Sequence, residues 1–175
     1  PYAAVGGNDD TGYAKVYKNI SGTWTQQGAT LTGEATYDYF GVSVSISASG
    51  DTIVVGAHYA AVGDNSYTGY AKVYKNISGT WTQQGAKITG EATNDYFGVS
   101  VSISATGDTI VVGAYYANSQ RGYAKVYKNI SGTWTPQGAK VTGETNGDYF
   151  GTSVSISASG DTIVVGTPYA NSYTG

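Results

Sequence analysis

Few side chains in this chain of 175 residues are of a type that supports catalysis. There is no Cys and only one His, His58, and no Ser–His pair has a spacing that points to nucleophilic catalysis. Asp38, Asp95 and Asp148 each precede Tyr-Phe-Gly, where a turn or capping role explains a carboxylate better than acid–base chemistry. We therefore expect that the protein is not an enzyme.

The tripeptide Asn-Ile-Ser, an acceptor pattern for N-linked glycans, occurs at Asn19, Asn76 and Asn129. A Gly follows each Ser, so each tripeptide is expected at the tip of a hairpin, where a glycan would meet no neighbouring element. In a eukaryotic secreted protein we expect these Asn to carry glycans. In a bacterial protein an unmodified turn is the simpler interpretation.

Tyrosine is unusually abundant, with 17 residues, and many of them fall in segments expected to be loops. An exposed Tyr ring can stack on a sugar, so carbohydrate binding is one interpretation of these residues. The other is that Tyr fills interfaces in a chain whose only Leu is Leu31. The loop tyrosines are Tyr2, Tyr37, Tyr59, Tyr67, Tyr115, Tyr116, Tyr169 and Tyr173.

The composition excludes several classes of protein. A single Leu cannot furnish the apolar stripe of a helical bundle, whereas the abundant Val, Ile, Thr and Tyr suit strands, so the fold is expected to be all-β. The 9 basic and 12 acidic residues form no basic patch, which argues against a nucleic-acid partner. No run of 18 apolar residues occurs, so membrane insertion is not expected.

Two sequence blocks recur three times along the chain, with single changes at Pro136 and Thr106. The first block stands at 12–28, 69–85 and 122–138, and the second at 43–56, 100–113 and 153–166. Aligning the blocks divides the chain into repeat units 1–57, 58–114 and 115–167, followed by the start of a fourth unit at 168–175.

Each repeat predicts four short strands. Val42–Ser47 alternates apolar residues with Ser, and Thr52–Val55 is a continuous apolar run typical of a strand that is covered on both faces. Tyr70–Asn76 and Thr80–Ile88 complete the set, and Pro136 places the fourth strand at an outer edge. Four antiparallel strands in a repeat of this length predict a β-propeller blade, with the Ser face admitting the neighbouring blade.

Two further motifs recur in register. Phe-Gly follows Asp-Tyr at Phe40, Phe97 and Phe150, and a degenerate Gly-Ala-Pro stands at 56–58, 113–115 and 166–168. With Gly-Asp-Thr-Ile-Val-Val and Gly-Tyr-Ala-Lys-Val-Tyr, these motifs resemble the FG-GAP repeat, the blade unit of integrin-α-like propellers and of many surface proteins. The aromatic residues expected to pack between blades are Phe40, Phe97, Phe150, Trp24, Trp81 and Trp134.

The resemblance also implies a place to look for calcium. Integrin-type blades carry an Asp-x-Asp-x-Asp-Gly loop that binds calcium. A calcium ion is bound by six to eight oxygen ligands, several of them from carboxylates. Only Asn8, Asp9 and Asp10 come close here, and the loop at 118–122 contains Arg121 instead. A weak calcium candidate is therefore confined to the first loop, where an ordinary Asx-rich turn is the alternative; no other cofactor is expected.

The repeat phase predicts two complete blades between two half-blades. Residues 13–31 would supply strands three and four of a blade, and residues 151–165 strands one and two. A lone half-blade exposes a pairing edge. The halves could pair within one chain as three blades, be exchanged by two chains in a closed six-bladed dimer, or join head to tail in a filament. Alternatively, the sequence is part of a longer array.

We therefore predict an extracellular or surface-displayed structural or adhesive module that assembles by blade stacking and strand complementation. Its expected partners are copies of itself, and glycans are expected on its outer hairpins. The alternative function is that of a propeller lectin, which would bind carbohydrate through the loop tyrosines.

Overall fold

The computed structural model of the chain describes residues 10–169, and almost all of its regular structure is antiparallel β. The strands up to the end of the first complete sheet are β1 (Tyr13–Ala14), β2 (Tyr17–Ile20), β3 (Thr23–Gln26), β4 (Leu31–Thr32), β5 (Ser43–Ile46), β6 (Thr52–Ala57), β7 (Tyr70–Ile77), β8 (Thr80–Gln83) and β9 (Ile88–Thr89). The remaining strands are β10 (Ser100–Ile103), β11 (Thr109–Ala114), β12 (Tyr123–Ile130), β13 (Thr133–Pro136), β14 (Val141–Thr142), β15 (Ser153–Ile156) and β16 (Ile163–Gly166). Between β11 and β12 lies α1 (Ala117–Gln120), which is irregular because Asn118 and Ser119 have φ values of 52° and 58°.

Two sheets have the strand order of a propeller-type blade. The first complete blade runs β5-β6-β7-β8 and the second runs β10-β11-β12-β13, with all neighbours antiparallel. Pro136 ends β13, which pairs only with β12 among the described residues and so forms the outer edge. The sequence-based prediction of all-β, propeller-type blades is confirmed, although residues 10–169 form no closed ring of blades.

The prediction of one continuous fourth strand over Thr80–Ile88 is wrong. The segment splits into β8 and β9, and both pair with β7. The chain bends between them because Gly85 has a positive φ of 71° and the Gln84 N–H donates to the carbonyl of Val73. The second complete blade is split in the same way into β13 and β14.

A half-blade lies on either side of the complete blades, as the repeat phase predicts. The first half-blade consists of β1 to β4, and the last half-blade is the hairpin β15–β16. The third strand of the first half-blade is interrupted at Lys15 and Val16, which separate β1 from β2, whereas the equivalent strand β7 is continuous. The counterparts in β7, Lys72 and Val73, pair with β6, but no described strand takes that place beside the first half-blade.

The blades stack face to face, and the core lies between them. One buried cluster joins Ala14 of the first half-blade to Ile53 and Val55 of the first complete blade. The other joins Val54 and Val73 to the second complete blade. Every residue of β6 and of β11 is buried, so the continuous apolar runs are strands covered on both faces, as predicted.

Candidate assembly interface

The Ser faces of β5 and β10, the first strands of the two complete blades, form hydrogen bonds to the next blade. Ser45 Oγ accepts the N–H of Ile103 at 3.3 Å, and Ser43 Oγ donates to the carbonyl of Gly98 at 2.8 Å. The following junction repeats both bonds, at Ser102–Ile156 (3.2 Å) and Ser100–Gly151 (2.7 Å). The serines therefore do more than leave room for a neighbour, because they also fix its position along the strand.

Glycine sets how closely the blades approach. A Cβ added to Gly56 would collide with the carbonyl oxygen of Gly98, and one added to Gly113 would collide with that of Gly151. Neither contact lies within one blade, since each oxygen belongs to the segment that leads into the next inner strand. The second strand of a blade therefore needs Gly where the next blade crosses it.

The buried Trp81 and the partly buried Trp134 are each bonded to the blade before them. Trp81 Nε1–H donates to the carbonyl of Gln27 at 3.0 Å, and Trp134 Nε1–H donates to that of Gln84 at 2.9 Å. Trp81 is 8% exposed, whereas Trp24, at the equivalent place in the first half-blade, is 68% exposed. Among residues 10–169 no blade precedes Trp24, so its packing between blades stays a prediction.

The Phe residues of the Phe-Gly motif lie at the junctions between blades. Phe40 and Phe97 are fully buried, and Phe150 is partly buried. The Phe97 N–H donates to the carbonyl of Thr68 at 3.0 Å, beside a parallel bridge between Phe97 and Gly69. The motif thus ties two consecutive blades together through its backbone while its ring fills the space between them.

Asp38 and Asp95, which precede the first two motifs, each combine a turn role with a bond to the Tyr of the next blade. Asp95 accepts the N–H groups of Glu91 and Ala92 at 2.8 and 3.1 Å, and the hydroxyl of Tyr123 at 2.9 Å. Burial, with the nearby Asp95 carboxylate, raises the pKa of Tyr123 far above its usual range, so this hydroxyl stays a donor. Sequence analysis predicted the turn role of the Asp but not its bond to Tyr. The feature that could have indicated this bond is the Tyr that directly follows Gly in every copy of the repeated block.

A bridging carboxylate adds charge complementarity to the two junctions that lie before the complete blades. Glu91 binds Lys125 at 2.8 Å and Lys140 at 2.6 Å, and these two lysines hold the pKa of Glu91 below its usual value. Glu34 is bound in the same way by Lys72 and Lys87 at 2.7 and 2.6 Å. Each complete blade therefore presents two cations to one anion of the blade before it.

The first complete blade exposes the apolar face that the second one buries. Val44 and Ile46 are 61% and 51% exposed, whereas the equivalent Val101 and Ile103 are 8% and 7% exposed. Because the sequences are the same, the difference comes from the neighbour: Val101 and Ile103 face β5, but Val44 and Ile46 face only part of a half-blade.

The last half-blade exposes the opposite face. Val164 is 70% exposed, although its equivalents Val54 and Val111 are fully buried. Ser153 and Ser155 are exposed as well, while their counterparts Ser43 and Ser45 bond to the next blade. The two ends of the array therefore display two halves of the same junction.

A groove marks the place beside the first half-blade that no strand of residues 10–169 fills. It has a volume of about 250 Å³ and lies between the first half-blade and the first complete blade. Its apolar walls are Ala14, Val16, Val44, Ile46, Ile53 and Val55. At the next junction β5 and β6 occupy the equivalent space and pack against β10.

The three Asn-Ile-Ser sites lie where the outer hairpins turn, as predicted. Asn76 Oδ1 accepts the N–H of Gly79 at 2.8 Å, and Ser78 and Gly79 have the positive φ values of a tight hairpin turn, 52° and 90°. Asn19 and Asn129 make the same bond at 2.8 Å. Attachment of glycans at these sites stays a prediction.

The calcium candidate falls almost wholly outside the described residues. Asn8 and Asp9 lie before residue 10, and Asp10 begins the described part with a φ of 52°. Within residues 10–169 no group of three or more Asp, Glu, His or Cys side chains is placed to hold a metal ion.

Five of the loop tyrosines come together on one side of the array: Tyr59, Tyr67, Tyr115, Tyr116 and Tyr169. Tyr37 is exposed and stands apart from this group, and Tyr2 and Tyr173 lie outside the described residues. Tyr96 is at the centre, with its ring centroid 5.1 Å from that of Tyr59 and 5.6 Å from that of Tyr67. Sequence analysis did not include Tyr96 or its equivalents Tyr39 and Tyr149, which precede Phe in each motif. All three have positive φ, which is uncommon for a bulky residue.

Comparison with known proteins finds one family. The sequence model of the FG-GAP repeat matches residues 24–74, 81–127 and 142–175, which together make up most of the chain. No curated protein matches the chain. FG-GAP repeats indicate a propeller-type repeat module and are typical of extracellular or surface proteins. No helix in residues 10–169 is long and apolar enough to cross a membrane.

Proposed function

The chain belongs to the FG-GAP repeat family, and we propose that it is an extracellular or surface-displayed structural and adhesive module that binds copies of itself. The observation that carries this proposal is the pair of complementary open faces. The last half-blade supplies the first two strands of a blade, and the first half-blade supplies the other two. One half-blade from each of two copies would make a complete blade, and a pairing edge would be covered.

We call the blade made of one half-blade from each of two copies the composite blade. The strand pairing inside a complete blade gives its register. In the first complete blade, Val54 lies opposite Val73, and Gly56 lies opposite Ala71. Carried to the equivalent positions of the half-blades, Val164 of one copy lies opposite Val16 of the next. A shift by one residue would turn the apolar side chains to the wrong face, so a single register is favoured.

The groups that would pair across the new junctions stand at the two ends of the array, and all of them except the buried Asp148 are exposed. By repeat equivalence, Trp24 would donate to the Gln137 carbonyl of another copy and Tyr13 would donate to Asp148. Ile46 of the first complete blade would donate its N–H to Ser155. Fully burying a Val or Ile side chain contributes about 1.5–3 kcal/mol. The apolar side chains at the two ends are about half to two-thirds exposed, so covering several of them together favours association.

One part of the junction is weaker between chains than within the chain. Glu144 corresponds to Glu91 and would bind Lys15 of the next copy. Its second cation is missing, because Thr30 stands where Lys87 and Lys140 stand in the later repeats. The junction between copies therefore depends more on the apolar side chains and on the Trp bond than on charge.

The same junction serves a ring or a filament. It joins the end of one copy to the start of another, so it is a heterologous contact that closes only if the rotation between copies allows. Two copies would carry six blades, within the usual range of four to eight for a closed propeller. The Asn-Ile-Ser sites lie at the outer hairpin turns, and Asn19 also stands on the strand that would pair with the other copy, because the equivalent Asn76 N–H donates to the Asp51 carbonyl.

Native mass spectrometry and light scattering of the protein at several concentrations test the proposal. We expect a dimer if the ring closes and a concentration-dependent series if it does not. A Val164→Asp variant should be monomeric, because it places a charge in the composite blade, whereas Tyr37→Ala, a change at another exposed site, should assemble normally. A wild-type protein that stays monomeric at every concentration would contradict the proposal.

A further inference from the structure

We propose that the cavity between the second complete blade and the last half-blade binds a neutral oligosaccharide. The cavity has a volume of about 680 Å³, which lies in the usual range of small-molecule sites. The lining residues that matter for this proposal are Val99, Tyr115, Gln120, Tyr149, Thr152 and Tyr169.

The cavity arises where the repeat symmetry is broken. At the preceding junction, Tyr67 and Tyr96 stack with centroids 5.6 Å apart and rings within 4° of parallel. Tyr149 is the equivalent of Tyr96, and its N–H donates to the carbonyl of Gln120 as that of Tyr96 donates to Tyr67. Gln120 thus takes the place of Tyr67 in the shorter loop, one aromatic ring is lost, and the face of Tyr149 becomes available.

The side chains around the space suit a sugar ring. Tyr149 lies against Tyr115 with centroids 5.8 Å apart and against Tyr169 at 5.3 Å, in stacked and edge-on arrangements. Such rings offer flat apolar surface of the kind on which the C–H face of a sugar packs. The Gln120 amide and the Thr152 hydroxyl lie at the same cavity and can bond to sugar hydroxyls.

The charge of the lining indicates a neutral ligand. Within residues 10–169, no Asp, Glu, Lys, Arg or His lines the cavity. Burial also raises the pKa of Tyr115 to about 12, so its hydroxyl is uncharged at neutral pH. A sulfated, phosphorylated or sialylated glycan would find no cation there to offset its loss of water.

The polar contacts hold Tyr149 in place. Its hydroxyl donates to Gln120 Oε1 at 3.0 Å, and its carbonyl accepts the Thr152 hydroxyl at 2.6 Å. The backbone at Tyr149 has a φ of 58°, which Asn adopts more readily than most residues. Tyr149→Asn therefore removes the ring without straining the fold, and Gln120→Tyr restores the ring that fills the preceding junction.

An array of immobilised neutral and acidic glycans, probed with the labelled protein, tests the site. We expect retention on neutral glycans, and a loss of at least about tenfold in affinity for Tyr149→Asn, Tyr169→Ala and Gln120→Tyr. Tyr37→Ala, a change at an exposed Tyr outside the cavity, is the control and should bind like the wild type.

Circular dichroism of each variant shows whether its fold is intact. The proposal is overturned if no neutral glycan is retained. It is also overturned if the folded Tyr149→Asn and Gln120→Tyr variants bind like the wild type, or if acidic glycans are retained as well as neutral ones.

Discussion

Trp81 Nε1–H donates a hydrogen bond to the backbone carbonyl of Gln27, 3.0 Å away across the boundary between two blades. Trp134 and Gln84 repeat the relationship one blade later, at 2.9 Å. Because each Trp binds the blade before it, the stacking has a direction. The chain offers an exposed Trp24 at one end of the array and the carbonyl of Gln137 at the other.

The two Trp positions should respond differently to the same substitution. Trp81→Ala removes a buried ring and should lower the free energy of unfolding by about 3–5 kcal/mol. Trp24→Ala removes an exposed ring, so the unfolding of the dilute monomer should change by no more than about 0.5 kcal/mol. Urea titration of both variants measures this difference.

Trp24→Ala should weaken assembly, although it leaves the stability of the monomer almost unchanged. Trp24→Ala should shift the assembly equilibrium towards monomer in light scattering, although its fold is intact. Equal destabilisation of the dilute monomer by the two substitutions would show that Trp24 is already packed.

A pair of glycines separates folding from assembly in the same manner. Gly56→Ala directs a Cβ at the Gly98 carbonyl and should destabilise the chain, because backbone must move. In Gly166→Ala the nearest atom to the new Cβ is the movable hydroxyl of the exposed Ser153, so the fold should survive. Thermal unfolding should rank Gly56→Ala well below wild type and Gly166→Ala near it, whereas light scattering should show that Gly166→Ala assembles poorly. Normal assembly of Gly166→Ala would count against the composite blade.

His58 should make the stability of the fold depend on pH. Burial among Tyr rings lowers the pKa of His58 from 6.5 to about 4, and its buried Nδ1 has no hydrogen-bond partner in the described part of the chain. The unfolded state then binds the proton first, so this stability is complete above pH 6.5 and is lost as the pH falls towards 4. The expected loss is about 2–3 kcal/mol.

The matched variant for this test is His58→Tyr, because Tyr115 is the equivalent residue of the next repeat. Urea midpoints measured between pH 7 and pH 4 should fall more steeply for the wild type than for His58→Tyr. Parallel pH profiles would show that His58 titrates normally. Protonation of Glu34 and Glu91, whose pKa values are lowered by their lysines, would lower the stability of both proteins at still lower pH.

Glycans on the outer hairpins are the fourth prediction. In a eukaryotic secreted protein, intact mass should show glycans at Asn19, Asn76 and Asn129, because each begins an acceptor tripeptide at the turn of an outer hairpin. Ser78→Gly should remove one of them without disturbing the turn, since Gly tolerates the φ of 52° at that position. An unmodified Asn76 in such a source would contradict this prediction.

The fold was largely predictable because local patterns repeat. The alternation of apolar residues with Ser predicted strand β5, the unbroken apolar run of β6 is buried along its whole length, and the repeat phase predicted the half-blades. The break between β8 and β9 was not predictable from periodicity, since it depends on a positive φ at Gly85 and a bond to Val73.

The interface and the cavity were less predictable, for a physical reason. The Asp95–Tyr123 bond joins residues 28 positions apart in sequence, and the Trp81–Gln27 bond joins residues 54 apart. Such pairs follow from how blades stack, which no local pattern contains. The position of Gln120 beside Tyr149 likewise depends on a shortened loop, whose consequence appears only in three dimensions.

Disulfide trapping at Val16 and Val164 tests the central claim most directly. In the complete blade the equivalent pair is Val54 and Val73. Hydrogen-bonded and non-hydrogen-bonded pairs alternate along an antiparallel ladder. Because Asn76 and Asp51 are hydrogen-bonded, Val54 and Val73, three positions further along, form a non-hydrogen-bonded pair. Opposite Cα atoms in such pairs are about 4.5 Å apart, which suits a disulfide. The chain has no Cys of its own, so the double variant Val16→Cys/Val164→Cys carries the only two thiols.

After mild oxidation, non-reducing electrophoresis should show covalent dimers or a ladder of higher species that reducing agent abolishes. The mismatched control Lys15→Cys/Val164→Cys, one residue out of register, should cross-link far less. A double-Cys protein that remains monomeric after oxidation, or a control that cross-links equally well, would contradict strand complementation between copies.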